Sequence, residues 1–170
     1  MSKRHHHCHA CGAAYVDVDA WPRRCAACGN VTYQNPTPVA VILVPVTDGT
    51  DGPGVLVIER GNVAASGQPA LPGGFVDVGE DFVAAAVREL REETGVVVDA
   101  ATVRLVSVAV AGRGDVLLGV CEAAPIAASA LPPFVASAET TARTVVRAPV
   151  ALAFPVHTQA LAAFFGRRTG

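Results

Sequence analysis

The sequence predicts an α/β domain, a mixed sheet flanked by helices, with a small cysteine-bearing module in front of it. Three observations carry this. Apolar residues make up 51% of the 170 and charged ones only 16%, which suffices to close the core of one ordinary domain of about 100–150 residues with a short stretch to spare. β-rich apolar runs and one clear helical pattern follow one another without the regular strand–helix alternation of a parallel sheet. Four of the five cysteines fall in two Cys-x2-Cys pairs ahead of the break Asn35-Pro36-Thr37-Pro38, where each proline disfavours helix at the residue before it. The module is therefore expected over residues 1–35 and the main domain over 36–170.

Taken in order, the apolar run 39–46 reads as a first strand and 55–60 as a second, separated by the turn residues of 47–54. A loop at 61–70 leads to Leu71-Pro72-Gly73-Gly74-Phe75-Val76, which ends in a short strand. Residues 81–94 carry the strongest helical signal: Asp81 is placed as N-cap and Gly95 just past the end, and Val83, Val87, Leu90 and Thr94 recur at helical spacing. Strands at 102–110 and 115–123 are joined by a Gly-rich turn. A Pro/Ala/Ser loop spans 124–141, a short strand 144–147, and a terminal helix 156–165.

Several classes are excluded by composition. Thirteen basic against fifteen acidic residues give a net charge of −2, so there is no global basic field for nucleic acid and no polybasic membrane patch. No run reaches the roughly 18 unbroken apolar residues of a membrane helix. The first twelve residues are polar and lack the apolar core of a signal peptide, so a cytoplasmic protein is expected. Cysteine pairs in that setting point to a metal rather than to disulfides.

The spacing Cys8-x2-Cys11-x13-Cys25-x2-Cys28 fits a tetrahedral Zn²⁺ site, each pair forming one knuckle of a zinc ribbon. Four thiolates close the coordination shell, which makes this a structural metal. It also supplies stability that some 30 residues cannot gain from a core of their own. Arg23, Arg24, Trp21 and Tyr15 between the knuckles are offset by Asp17 and Asp19, a poor nucleic-acid face. The ribbon is read as packing against the main domain or a second subunit of a homodimer. His5, His6, His7 and His9 read as a solvated terminus, Cys121 as a core residue, and His157 as packing or capping the last helix.

The helix over 81–94 places Glu89, Glu92 and Glu93 within a 100° arc. Like charges so close repel, and two readings stand side by side: a solvated acidic face, or a site for a hard divalent cation such as Mg²⁺ or Mn²⁺. The wider stretch 74–96 has the form G-x5-E-x7-R-E-U-x-E-E-x-G-U, U being a bulky aliphatic residue. Gly74, Glu80, Arg88, Glu89, Leu90, Glu92, Glu93, Gly95 and Val96 fill every fixed position. This resembles the Nudix hydrolase box, complete.

The resemblance implies an α/β/α sandwich with a mixed sheet and an enzyme that hydrolyses a nucleoside diphosphate linked to another group. It implies Glu92 and Glu93 as Mg²⁺ or Mn²⁺ ligands, Glu89 as ligand or general base, and the Gly73 carbonyl as a further oxygen. Arg88 and Glu80 would hold the glutamates in place. An additional carboxylate after the box is common in such enzymes. Of Asp99, Asp115, Glu122 and Glu139, the last, in a polar break before the final strand, is chosen over Glu122. A ribbon ahead of such a domain resembles the NADH pyrophosphatases and the ribbon-bearing proteins acting on FAD or ADP-ribose. The NADH group carries an SQPWPFPxS signature, whose nearest counterpart here, 153–158, lacks the tryptophan and first serine. Tyr33-Gln34-Asn35-Pro36 looks more like the second group. The substrate expected is a small ADP-containing nucleotide. The alternatives are a zinc-ribbon regulator that binds nucleic acid or senses a nucleotide without cleaving it, and a hydrolase of nucleotide-capped RNA. The first would show a decayed box, the second a basic groove.

Overall fold

A computed structural model describes residues 6–49, 52–61 and 65–167. His5 and part of the loop expected at 61–70 lie outside them. The chain forms two compact units, Met1–Pro36 and Thr37–Gly170.

In the first unit, β1 (Arg23–Arg24) and β2 (Val31–Thr32) pair antiparallel, with Arg23 opposite Thr32. One turn precedes this hairpin and a matching one forms its connection. The Gly12 N–H donates to the Cys8 carbonyl and the Gly29 N–H to the Cys25 carbonyl, so each Cys-x2-Cys closes on itself as a knuckle. Cys8, Cys25 and Tyr15 are buried together with Ala13 and Val18 against them, a core of three residues. The Tyr15 hydroxyl lies 2.7 Å from Thr32 Oγ1, and the Arg23 guanidinium stands 4.0 Å from the Trp21 ring centroid.

The second unit contains β3 (Thr37–Leu43), β4 (Pro45–Thr47), β5 (Gly54–Arg60), β6 (Pro69–Ala70), β7 (Gly73–Phe75), α1 (Phe82–Thr94), β8 (Arg104–Ala111), β9 (Val116–Glu122), β10 (Ile126–Ala127), β11 (Thr140–Val146) and α2 (Pro155–Gly166). One sheet runs β7-β3-β9-β8, with β3 and β9 parallel and the outer pairs antiparallel. The other runs β10-β4-β5-β11, with β6 added beside β5 and β10 parallel to β4. Ala40, Ile42, Val44 and Val46 pack with Leu56, Ala85, Ala86 and Leu90 in one core under α1. Val41, Leu43, Val55 and Val57 pack with Leu161 and Phe164 in a second core under α2. Strands covered on both faces have no polar side to show, which is why their sequences are unbroken apolar runs. The result is an α/β/α sandwich built on mixed sheets.

The run 39–46, read as one strand, serves both sheets. The Leu43 carbonyl accepts from the Ala123 N–H, next to β9, and the Val44 carbonyl from the Leu56 N–H in β5. Pro45 has no N–H with which to continue the first ladder, so the chain changes partners there. The strand expected from 102 begins at Arg104, because Asp99 caps a 3₁₀ turn at Ala100–Thr102 through the Ala101 N–H. The last strand starts at Thr140 rather than 144, its ladder carried through a bulge opposite β5. The intervening loop is not structureless: it contributes β10 and a 3₁₀ turn at Ala128–Ala130.

Helix α1 starts and stops where its caps dictate. Asp81 accepts from the Ala84 N–H, and the Gly95 N–H reaches the Arg91 carbonyl. Its fully buried positions are Ala85, Ala86, Leu90 and Thr94, with Val83 and Val87 at the margin, so the small alanines let the helix lie close on the sheet. Leu90 is fully buried and Leu105 on β8 is 44% exposed. Truncating Leu90 to Ala should cost ~2–5 kcal/mol of unfolding free energy in a denaturant titration, whereas Leu105→Ala should stay near the ~0.5 kcal/mol typical of surface changes.

Candidate active site

Strand β7 and the turn after it pass alongside α1 because two glycines permit it. Gly73 has φ 151°, in the region that side chains avoid, and a Cβ there would stand 2.1 Å from the Ala40 carbonyl oxygen. A Cβ on Gly74 would stand 2.3 Å from Glu89 Oε1. The bare backbone thus lets the helix carboxylates come up against the strand. The Gly73 N–H donates to Glu93 Oε2 at 2.8 Å.

Arg88 ties this corner together. Its Nε and Nη2 donate to the two oxygens of Glu80 at 2.9 and 3.0 Å, a bidentate pair. Nη1 donates to Glu89 at 2.8 Å and to Glu92 at 3.3 Å, and Nη2 also reaches the Phe75 carbonyl at 2.9 Å. The Glu80 carboxylate additionally accepts the Asp77 N–H at 3.1 Å, so the turn between β7 and α1 is closed by one cation. The Arg88 guanidinium beside it, with that N–H, holds the Glu80 carboxyl below the usual range. Hydrogen bonds to Glu80 and Glu89 push the Arg88 pKa still higher than usual.

A cavity of about 400 Å³ opens between β3, β7, α1 and the start of α2. Glu89, Glu93 and Glu139 line it together with Asp77, and Arg60 is the cation on its wall. Burial pushes the Glu93 carboxyl up to about 7, against the Gly73 N–H; the charge of Glu89 and, more weakly, of Glu139 acts in the same direction as burial, and Arg60 opposes it. Glu92 is not among the lining residues. Its side chain is half exposed and turned to Arg88, so the three helix carboxylates do not converge on one point, and Glu89 and Glu93 are the pair that faces inward. Gly73 also lines the cavity.

Glu139 arrives just before β11, where its carbonyl accepts the Gly61 N–H and ties it to the end of β5. Glu122 goes elsewhere: it pairs with Arg167 at 2.5 Å and lines a separate depression with Arg104. Asp99 and Asp115 have local roles, as the turn cap already described and as acceptor from the Arg113 N–H. Cys121 is buried and donates to the Phe82 carbonyl at 3.5 Å, with burial pushing its thiol up to about 11.

Sequence reading missed Arg60, Asp77, Phe75 and Phe154 as cavity residues. Arg60 carries a signal in retrospect, as a charge closing an otherwise apolar strand; the others carry none. His157 is buried at the start of α2, and its Nδ1 accepts the Leu71 N–H at 3.3 Å, which fixes that nitrogen as unprotonated. Burial, reinforced by Arg60, lowers its pKa to about 4.

In the ribbon, Sγ atoms of Cys8, Cys11, Cys25 and Cys28 all lie within 4.8 Å of one another. Cys8 is 3.7 Å from Cys28 and Cys11 is 3.6 Å from Cys25. A tetrahedral ion with sulfur bonds of ~2.3 Å requires edges of roughly 3.8 Å, so the thiols fit zinc. The N–H groups of Cys28 and Ala27 hold the Cys25 thiol below its usual range, favouring the thiolate that binds metal. Among the described residues this is the one group of three or more such side chains that close together. His9 Nδ1 instead meets Thr32 Oγ1 at 3.2 Å.

Comparison with known proteins places the second unit. Residues 36–116 match the family model described as NUDIX domain. That stretch is similar to the Nudix domain, and the fold is the Nudix fold. The structure of a NUDIX hydrolase from Nitrosomonas europaea superposes with a TM-score of 0.69 at 19% identity, over 96% of this chain and 92% of that one. The NUDIX domain of Shewanella oneidensis NrtR, solved with ADP ribose, gives 0.65 at 20% identity, over 80% and 90%. An ADP-ribose pyrophosphatase of Methanocaldococcus jannaschii is 51% identical over 43 residues, a stretch that spans a quarter of this chain and a quarter of that relative's length.

Because His157 is neutral in the fold and ionises near 6.5 once unfolded, the unfolded chain binds more protons between pH 6.5 and 4. Its contribution is complete above that window and is lost as pH falls through it, by up to ~3 kcal/mol. The raised Glu93 pKa acts in the opposite sense over an overlapping window, so the comparison must be with a variant. His157→Asn, whose amide oxygen can still accept the Leu71 N–H, should flatten the acid limb of the stability profile relative to the parent. Identical slopes from pH 6.5 to 4 in chemical denaturation would show that His157 does not titrate in this way.

Proposed function

We propose that this protein is a divalent-metal-dependent pyrophosphohydrolase that cleaves the diphosphate of an ADP-containing compound, with ADP-ribose preferred to FAD or NADH as substrate, releasing AMP. The observation that carries the reading is the convergence of Glu89, Glu93 and Glu139 with one cation, Arg60, around a single cavity. Burial raises the Glu93 carboxyl, the charges of Glu89 and, more weakly, Glu139 add to that, and oxygen donors of this kind suit Mg²⁺ or Mn²⁺. Glu89, Glu93 and Glu139 would hold the ions, with Glu92 at the rim. The bound ions would neutralise the diphosphate charge and acidify the attacking water.

The chain's own groups supply the rest. Water adds to phosphorus while the bridging P–O bond breaks, so AMP leaves with ribose 5-phosphate when ADP-ribose is the substrate. The water proton passes to a carboxylate, Glu89 or Glu139. Arg60 faces the anionic substrate from the opposite wall, and Arg88 with Glu80 keeps Glu89 and the β7–α1 turn in register. The names of the archaeal relative and of the ADP ribose complex support the choice of substrate, and the intact box argues against a sensor without catalysis. A zinc ion held by Cys8, Cys11, Cys25 and Cys28 would support the ribbon structurally.

Glu89→Gln, Glu93→Gln and Glu139→Gln keep shape and remove charge. At least two of the three should lose about 10²-fold or more in kcat with ADP-ribose and Mg²⁺ or Mn²⁺, AMP being resolved by chromatography. Near-parental turnover in all three, or activity confined to nucleoside triphosphates, contradicts the assignment.

Elemental analysis of protein purified without added metal should find about one Zn²⁺ per chain, and Cys25→Ser should remove it and lower stability while leaving the metal-dependent hydrolysis measurable. Unchanged zinc content in that variant excludes the ribbon site.

A further inference from the structure

The carboxylates that face the cavity come from segments far apart in sequence, Glu89 and Glu93 on α1 and Glu139 just ahead of β11. Among the described residues one hydrogen bond joins α1 to β11, and Arg143 makes it. Its Nη1 donates at 2.6 Å to the carbonyl of Thr94, the residue after Glu93. Its Nη2 donates at 2.5 Å to the carbonyl of Pro132, in the loop that leads to Glu139. The guanidinium stands 5.6 Å from the Phe134 ring centroid, and no carboxylate pairs with it among the described residues.

Each end of this bridge is itself held. Thr94 is buried, its Oγ1 donating to the Leu90 carbonyl at 2.6 Å and accepting the Val96 N–H at 3.1 Å. A helix end leaves its last carbonyls without partners, and a cation there is favourable both as donor and as charge. Pro132 lies against the same helix end, since a Cβ on Gly95 would stand 3.6 Å from its ring. Arg143 lies opposite Ile58 in the ladder that also sets Thr140 opposite Arg60. The backbone of Glu139 is fixed by the Ser137 hydroxyl, which accepts its N–H at 3.2 Å, and by the Gly61 N–H on its carbonyl.

We propose that Arg143 is a positioning residue for the metal site: by tying the end of α1 to β11 and to the loop before it, Arg143 sets the spacing between Glu139 and the helix pair Glu89 and Glu93. This deepens the hydrolase reading, whose metal ligands it concerns. Like charges on the three carboxylates favour a wider spacing, which the bridge opposes. A cap with no other role stabilises the helix alone. A bridge also changes how tightly an ion is held, because groups behind the ligands typically govern metal affinity by about 10–100-fold.

The test measures Mn²⁺ affinity calorimetrically on the whole chain without substrate, beside thermal unfolding and the kinetics with ADP-ribose. Arg143→Met should weaken Mn²⁺ binding about tenfold while leaving KM for ADP-ribose within about twofold. Arg143→Lys keeps the cation and a donor but not the fork, and should recover part of that loss. In a Glu139→Gln background the change to Met should alter Mn²⁺ affinity by less than about twofold, because the carboxylate it positions has lost its charge. A lowered Tm with wild-type Mn²⁺ affinity, or the full tenfold loss repeated in Glu139→Gln, overturns the proposal and leaves Arg143 as a helix cap. Should Arg143→Met fail to fold, Arg143→Lys replaces it in the cycle with a loss of about threefold, and unaltered affinity there overturns the proposal. Coupled Mn²⁺ binding without cleavage of ADP-ribose would sink the hydrolase reading alone, whereas a wild-type chain that binds no Mn²⁺ sinks both.

Discussion

Crowding of negative charge on one side of a short helix is the constraint around which the second unit is arranged. Glu89 and Glu93 are one turn apart on α1 and face the same cavity as Glu139. Like charges at that spacing destabilise an isolated helix by a few tenths of a kcal/mol per pair, and more once water is excluded. The fold meets this from two sides. Arg88 takes up the outer oxygens of Glu89 and Glu92 and clamps Glu80, and the Gly73 N–H takes one oxygen of Glu93. What remains uncompensated points into the cavity, where a cation and a polyphosphate would complete the balance.

The backbone makes that arrangement possible at little side-chain cost. Gly73 and Gly74 leave no Cβ between β7 and the carboxylates, and Asp81 starts the helix so that its second and third turns lie over the strand. The opposite wall comes from distant parts of the chain: Arg60 ends β5, Glu139 precedes β11, and Phe154 and His157 begin α2. The Gly61 N–H bond to the Glu139 carbonyl couples two of these walls through the sheet ladder, so rigid elements rather than free loops set the positions of the charges.

The two units rely on different physics. The Thr37–Gly170 unit closes two apolar cores, one under each of its helices. Among its described residues the first unit has an apolar core of only Cys8, Tyr15 and Cys25, too little to offset the entropy of ordering some 30 residues. Its four converging thiols fit a metal that would supply the missing stability, consistent with a sequence rich in cysteine and glycine where the larger unit is rich in valine and alanine.

Local chemistry determined a good part of this protein. The caps of α1, the knuckle turns, the apolar strands and the spacing of Arg88 with Glu80, Glu89 and Glu92 all depend on residues near in sequence, and so they are legible there. What the tertiary structure alone decided depends on distant segments meeting. The run 39–46 reads as one strand, yet Pro45 divides it between two sheets because the partners of Leu43 and Val44 come from β9 and β5. The three glutamates read as equivalent on a helical wheel, yet β7 covers one side of α1, so Glu89 and Glu93 face the cavity while Glu92 is left in solvent with Arg88. Glu139 and Glu122 read as competing loop-end carboxylates, yet only the pairing of β11 with β5 brings one of them to the helix, and Arg167 takes the other. Phe154 has no mark in the sequence and His157 reads there only as a packing or capping residue, because a cavity wall is defined by what stands across from it.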